Sequence, residues 1–271
     1  MKSRDRTENI PEWEEVLSAA SHLQALLPDA VLVGGTSAAL IADHRFSRDA
    51  DHVVVDLKSR FDAVLRDLES VSGWKTARIN RPVMILGSLD GIETGVRQLI
   101  RSEPLETTQV ALGDDGDMIT IPTQNECLRI KAILILKRNA TRDYLDFAAL
   151  SEHMGTDETY ESLRSFDQLY PQQNGKSPWL QLQSQLSLFQ PYDVSEIDLK
   201  SYKGLRKDWQ DMAHIKRVCQ NIADAMLDRL LMESQSDTCD EVVMLKNEAA
   251  ESLRDAASTV TVSREDNGDT R

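Results

Sequence analysis

The chain has 271 residues, with 31 Lys and Arg against 45 Asp and Glu, for a formal charge of −14. That length allows one large domain or two modest ones, each able to bury a core. The acidic balance excludes a protein whose whole surface grips nucleic acid, because phosphate contacts need clustered cations. Positive charge does gather at 129–142 and 200–216, which leaves room for a local basic groove.

No apolar run approaches the roughly 18–20 residues needed to span a bilayer. The longest, Ala132–Leu136, is short and flanked by Arg129, Lys131, Lys137 and Arg138. No apolar stretch follows the basic start, so no signal peptide and no membrane partner are expected. Cys127, Cys219 and Cys239 lie far apart, are odd in number and have no zinc-type spacing. They are expected to be reduced thiols in a cytoplasmic chain.

Pro11–Leu27 carries Trp13, Val16, Leu17, Ala20, Leu23, Leu26 and Leu27 at helical spacing, with Pro11 in the first turn. Ala30–Val33 reads as a buried strand running into the Gly34-Gly35 turn, and Thr36–Ala42 as a short helix. Asp51–Leu57 is β-branched and strand-like, and Lys58–Val71 is an amphipathic helix closed by Ser72-Gly73. Five strands are then expected: Trp74–Ile79, Val83–Leu86, Ile92–Leu99, Gln109–Leu112 and Met118–Ile121.

After Pro122 the pattern turns helical. Thr123–Lys137 and Thr141–His153 are helices separated by Asn139-Ala140, with Thr141 as N-cap. Weaker helices surround Tyr160–Phe166 and Trp179–Leu188, a long one runs over Tyr202–Met232, and Glu241–Ala256 forms another. The polar end from Ser258 reads as a disordered tail. The organisation expected is α+β: a mixed-sheet first domain over 1–122, a helical domain over 123–257 and a tail over 258–271.

Gly34-Gly35-Thr36, a short helix, and Asp49-Ala50-Asp51 opening a strand form the strongest local signal. Two Asp at i and i+2 on a strand project to one side, where they can share a metal. Magnesium takes oxygen ligands, and phosphoryl transfer is mostly positioning and charge neutralisation. Glycines let backbone approach phosphate, the helix N-terminus offers free N–H groups, and Thr36 or Ser37 adds a hydroxyl donor. A GG turn alone is a common loop and a DxD alone is often a solvated turn; their coupling is what points to nucleotide chemistry.

The stretch VGGTSAALIADHRFSRDADHVVV resembles the signature of the DNA polymerase β-like nucleotidyltransferase superfamily. Its HRxSxDxD form, running His44-Arg45-Phe46-Ser47-Arg48-Asp49-Ala50-Asp51, is similar to the AbiEii/AbiGii-type toxin nucleotidyltransferases of abortive-infection and toxin–antitoxin systems. Ala50 and His52 depart from the family's usual larger apolar and apolar or aromatic residues. The resemblance implies a nucleotidyltransferase core with a helical bundle completing its nucleotide site. It implies Mg2+ (or Mn2+) on Asp49 and Asp51, an NTP held by Gly34, Gly35, Thr36, Ser37 and Ser47, an acceptor on tRNA or protein, and a cognate antitoxin as partner.

This fold normally adds a third acid from a neighbouring strand, often the general base. Glu93 is the candidate, and Asp90 the alternative, although Asp90-Gly91 reads better as a turn. Glu93 reads equally well as an outward strand residue. A chain without that acid would be a nucleotide-binding or partner-docking relic.

The resemblance continues through Lys131, Arg138, Arg142, Asp143 and Asp146. Lys131 on an apolar helix can meet the triphosphate as a point charge. Asp143 and Asp146 are neighbours on the next helix and either orient Lys131 or Arg138, contact nucleotide, or form a buried ion-pair network. His44 and His52 flank the DxD without a pairing partner, and His22, His153 and His214 read as core or surface residues. The 200–216 stretch with Tyr202 and Trp209 suits a single-stranded RNA acceptor, and suits a solvated helix face at least as well.

Overall fold

A computed structural model describes residues 12–112, 117–173 and 175–233. Two helices and a sheet make the first layer pair. Helix α1 (Trp13–Leu26) buries Val16, Ala19, Ala20 and Leu23. After β1 (Val31–Leu32), α2 (Gly34–Ala42) and β2 (Asp49–Val54) follow, then α3 (Leu57–Glu69). Leu57, expected at the end of a strand, instead opens α3 and is fully buried. Strands β3 (Trp74–Asn80), β4 (Met84–Leu89) and β5 (Ile92–Gln98) complete a sheet of order β1-β2-β5-β4-β3. Only β2 and β5 run parallel within it; the other pairs are antiparallel.

Alternation sorts that sheet into two faces. Ala50, His52 and Val54 of β2 are buried, whereas Asp49, Asp51 and Val53 are half-buried. The buried face packs on α1 and α3 through Leu23, Phe61, Val64, Leu68, Ile85 and Val96. The opposite face is left for the site. Asp90 and Gly91, both at positive φ, turn the β4–β5 hairpin directly between Leu89 and Ile92. Asp90 therefore serves the turn, away from the carboxylates of β2.

Strands β6 (Thr107–Leu112) and β7 (Asp117–Pro122) form a separate antiparallel pair. Gln24, buried on α1, donates to the Thr120 carbonyl and accepts from its N–H, each at 2.8 Å, fastening α1 to β7.

Helices α4 (Gln124–Arg138), α5 (Thr141–Met154), α6 (Thr156–Leu163), α7 (Phe166–Leu169) and α8 (Pro178–Leu188) follow. Thr123 caps α4 by accepting from the Glu126 N–H, and Asn139 at φ 49° ends it. The N-cap of α5 is Ala140, not Thr141. Asp193 accepts from both the N–H and the hydroxyl of Thr141, at 2.8 and 2.7 Å, so a distant carboxylate does the capping.

The long helix expected from Tyr202 starts later. Residues 199–201 and 207–210 are short 3-10 turns, Gly204 sits at φ 60°, and the helix α9 spans 212–233. Asp211 caps it, accepting the Ala213 N–H at 2.9 Å. The chain divides into two compact units at 224/225, and the seam expected at Pro122 falls inside the first. Of the second unit, 225–233 are described, as helix. The helix expected at 241–256 and the tail lie outside the described residues. No described helix is long and apolar enough to cross a membrane.

Candidate active site

Parallel pairing of β2 with β5 puts Asp49 directly opposite Glu93 and Asp51 opposite Gly95. Residues on the same side of adjacent strands share a face, so Asp49, Asp51 and Glu93 line one cavity of about 470 Å³. Glu93 is exposed and has no hydrogen-bond or ion-pair partner among the described residues. Asp49 accepts from the Ser47 hydroxyl at 2.8 Å. Asp51 faces Arg97 of β5 at 3.8 Å. Burial first, and then the neighbouring charge of Asp49, push the Asp51 carboxyl above its ordinary pKa; Arg97, Arg138 and Arg142 oppose that shift.

Helix α2 begins beside these carboxylates. Gly34, at φ 83°, opens it, and Asp51 Cβ lies 3.9 Å from where a Gly34 side chain would start. A Cβ on Gly35 would stand 2.4 Å from the Arg45 guanidinium, so glycine is required for that approach. The first N–H groups of α2 have no intrahelical acceptor, and Gly34 and Gly35 line the cavity. The hydroxyls of Thr36 and Ser37 turn inward instead. Thr36 donates to the Asp49 carbonyl, and Ser37 to the Gly34 carbonyl at 3.2 Å, with Cys127 Sγ at 3.6 Å. Both side chains are buried, and here their hydroxyls shape the turn.

The facing wall comes from α4 and α5. Asp146, 1% exposed, is the hub. Arg45 reaches it bidentately, Nε to Oδ1 at 2.8 Å and Nη2 to Oδ2 at 2.9 Å. Lys131 Nζ lies 2.7 Å from Oδ2, and His44 Nε2 2.8 Å from Oδ1. Burial alone would raise the Asp146 pKa, but the charges of Arg45 and Lys131 and the His44 hydrogen bond hold it well below the usual carboxylate range. Burial in turn pushes the His44 imidazole down, so it stands neutral and donates through Nε2. Two fixed cations against one anion leave this wall positive. Asp143, also buried, holds Arg138 through two hydrogen bonds of 2.7 and 3.1 Å. Its carboxylate is thus occupied by Arg138, while the residue still lines the cavity.

His52 belongs to the other side of β2. It is fully buried, its Nδ1 meets the Ala50 carbonyl at 2.9 Å, and burial pushes its pKa to about 4.

A third wall carries no sequence signal next to the DxD. Ser201, Tyr202 and Lys203 line the same cavity. Their segment is stitched to the 44–46 loop: Phe46 N–H donates to the Lys203 carbonyl and Arg206 N–H to the His44 carbonyl, both at 2.9 Å. The Arg45 guanidinium sits 5.9 Å from the Tyr202 ring centroid, a cation–π contact. Gly204 passes so close to Phe46 that a Cβ would overlap its ring at 2.4 Å. Tyr202 is therefore half-buried in the site, not on a solvated helix face, and Trp209 is buried at 7% exposure. Arg45, Asp146 and Tyr202 are the residues that sequence reasoning underweighted. The first two had a cue in the HR before the DxD and the second Asp of the α5 pair, and Tyr202 in the basic 200–216 stretch, though nothing there tied it to the DxD.

Among the described residues no three His, Cys, Asp or Glu side chains gather closely enough to hold a metal by themselves. Magnesium characteristically uses one or two carboxylates together with substrate phosphates. Asp49 and Asp51, on one face and with mutual repulsion already raising the Asp51 pKa, fit that half-built arrangement.

A family model described as "Nucleotidyl transferase AbiEii toxin, Type IV TA system" matches residues 15–217. The chain belongs to the AbiEii nucleotidyl transferase toxin family. The matched span covers the carboxylates, the Lys131–Asp146 wall and the Tyr202 segment alike. Among solved structures, the chain is similar to JHP933 from Helicobacter pylori, at 14% identity and TM-score 0.47 over 86% of this chain and 100% of that one. It is similar to a putative nucleotidyltransferase from H. pylori, at 15% identity and TM-score 0.46 over 79% and 97%. It also resembles ANT(2")-Ia in complex with adenylyl-2"-tobramycin, at 9% identity and TM-score 0.43 over 57% and 97%. A different likeness is to the heme uptake protein MmpL11 of Mycobacterium tuberculosis, 36% identical over 130 residues, which are 47% of this chain. The matched part is 13% of that protein's length, so membership of the AbiEii family rests on the family model.

Proposed function

We propose that this AbiEii-family chain moves a nucleoside monophosphate from an NTP to a hydroxyl of an RNA (tRNA-like) or protein acceptor, as the toxin of a toxin–antitoxin or abortive-infection system with a cognate antitoxin. The observation that carries this reading is the β2–β5 register, which sets Glu93 opposite Asp49 on the face that Asp51 shares. Asp49 and Asp51 would hold Mg2+ or Mn2+. Bound there, the metal would neutralise phosphate charge and bring the reacting oxygens together.

The chain's own residues supply the rest. The N–H groups at Gly34 and Gly35 and the cation of Lys131 receive the triphosphate. Ser47 keeps Asp49 oriented, and Asp146 keeps Lys131 and Arg45 in place. Asp143 acts on the nucleotide by holding Arg138 at the cavity edge. Glu93, free and exposed, takes the acceptor's hydroxyl proton. The acceptor oxygen then bonds to the α-phosphorus, the bond from that phosphorus to the bridging oxygen breaks, and pyrophosphate leaves. Incubation with labelled NTPs, Mg2+ and total RNA or protein is expected to label an acceptor, and Asp49→Ala with Asp51→Ala to abolish the label. Persistent labelling by that double variant rejects the site.

One observation favours a second reading. Lys131 is buried and already paired with Asp146 at 2.7 Å, which suits a module that binds nucleotide and docks a partner without turnover. Nucleotide affinity in calorimetry, combined with no pyrophosphate release across all four NTPs, would select it.

A further inference from the structure

A groove of about 300 Å³ opens beside the carboxylate cavity and shares Gly34, Asp51 and Arg138 with it. The two spaces differ in chemistry. The carboxylate cavity is charged throughout, with Arg45, Lys131, Arg142 and Lys203 lining it together with Asp49 and Glu93. The groove is walled by Val53, Leu99, Ile130 and Leu134, with Tyr170 among its lining residues. Of its polar side chains, Gln98 and Arg101 are already engaged, while Asp51, Arg97 and Arg138 also line it. Gln98 donates to the Val55 and Leu99 carbonyls at 2.6 and 3.1 Å and accepts from the Lys58 N–H at 2.9 Å. Arg101 is held by Glu126 at 2.7 and 2.9 Å and by the Tyr170 hydroxyl at 3.3 Å.

An NTP has the same division within one molecule, a polyanion at one end and a flat, weakly polar ring at the other. We propose that the groove receives the nucleobase of the NTP while the triphosphate lies in the charged cavity, with the α-phosphorus at Asp51, the carboxylate common to both. This rests on the nucleotidyl-transfer reading above. Removing an aromatic ring from water against aliphatic walls is favourable without any specific donor or acceptor. With Gln98 and Arg101 occupied and the walls largely aliphatic, the groove discriminates bases weakly, by about tenfold or less.

The test is a binding titration on the full chain with Mg2+, using the α,β-methylene analogues of ATP and CTP, which cannot transfer, and inorganic tripolyphosphate. Leu134 and Leu99 are half-buried on the groove's two sides, so Leu134→Trp and Leu99→Trp fill it from the surface, with the thermal midpoint reporting folding. Each folded variant is expected to lose at least about tenfold in affinity for both analogues and to hold tripolyphosphate within about twofold. The wild type is expected to bind the two analogues within about tenfold of each other. Unchanged analogue affinity in both folded variants overturns the groove, as does equal loss of analogue and tripolyphosphate. Selective loss in Tyr202→Ala alone also overturns it, by moving the base to the 201–203 segment. A wild-type chain that binds neither analogue nor tripolyphosphate brings down the nucleotidyl-transfer reading together with this proposal.

Discussion

Asp51 and Asp146 line the same cavity and are shifted in opposite directions. Asp146 is the more buried, yet it is the stronger acid, because Arg45, Lys131 and His44 surround it. Asp51 is 30% exposed and the weaker acid, because burial and Asp49 together outweigh Arg97, at 3.8 Å, and Arg138 and Arg142. One carboxylate is saturated by its own protein; the other is left with an unmet demand for positive charge. The difference separates the part of the site that builds the wall from the part that awaits a ligand.

The largest effect should come from breaking the saturated side. Asp146→Ala leaves Arg45 and Lys131 buried without their anion, and urea denaturation is expected to show a loss of about 3–5 kcal/mol. A loss under 1 kcal/mol would put Asp146 on the unmet side with Asp51. The contrasting variant, Asp49→Ala with Asp51→Ala, removes repulsion along with the part-exposed 3.8 Å pair to Arg97 and the Ser47 hydrogen bond. It should fold with an undiminished thermal midpoint while nucleotide transfer falls on the order of 100-fold or more. A chain that unfolds would erase the distinction drawn here.

His52 sharpens the comparison from the other face of the same strand. Its folded pKa, about 4, lies below its unfolded value. Its contribution to stability is therefore complete above about pH 6.5 and is lost as pH falls toward 4, by up to roughly 3 kcal/mol. Denaturation series at several pH values should show that slope reduced by one proton in His52→Gln, which can still donate to Ala50. Asp146 loses its contribution only below about pH 4, where its unfolded carboxyl protonates first. The two windows are thus separable. The smallest effect is at Arg97, part-exposed and 3.8 Å from Asp51. Arg97→Gln removes a competing cation, so Mn2+ titration without nucleotide should show affinity raised about two- to fivefold; weaker binding would mean that Arg97 supports the metal instead of competing with it.

Much of the sheet could be read from alternation and turn residues. Asp90-Gly91 marked a two-residue hairpin, and the run ending at Gly34-Gly35 marked the strand-to-helix turn, since each depends on neighbours within a few positions. Helix starts were less legible. Thr141 looked like a cap, but Asp193 makes that contact from 52 residues away. The Tyr202 helix had the right residues, yet the backbone hydrogen bonds of Phe46 and Arg206 to the 203 and 44 carbonyls outweigh local helix preference there.

Membership of the AbiEii family was legible as a resemblance carried by the HRxSxDxD stretch, and the shared face of Asp49 and Asp51 was legible because it rests on i, i+2 spacing along one strand. The sequence alone could not choose the partner of Lys131, distinguish the inward hydroxyls of Thr36 and Ser37 from outward ones, or weigh Glu93 against an ordinary strand residue. Those depend on which strand lies beside β2 and which helix covers α2. Parallel register put Glu93 opposite Asp49, and the packing of α5 brought Asp146 to Arg45 across 101 residues. Periodicity records which face a side chain takes within its own element; what stands opposite that face is set by burial and charge across the whole fold.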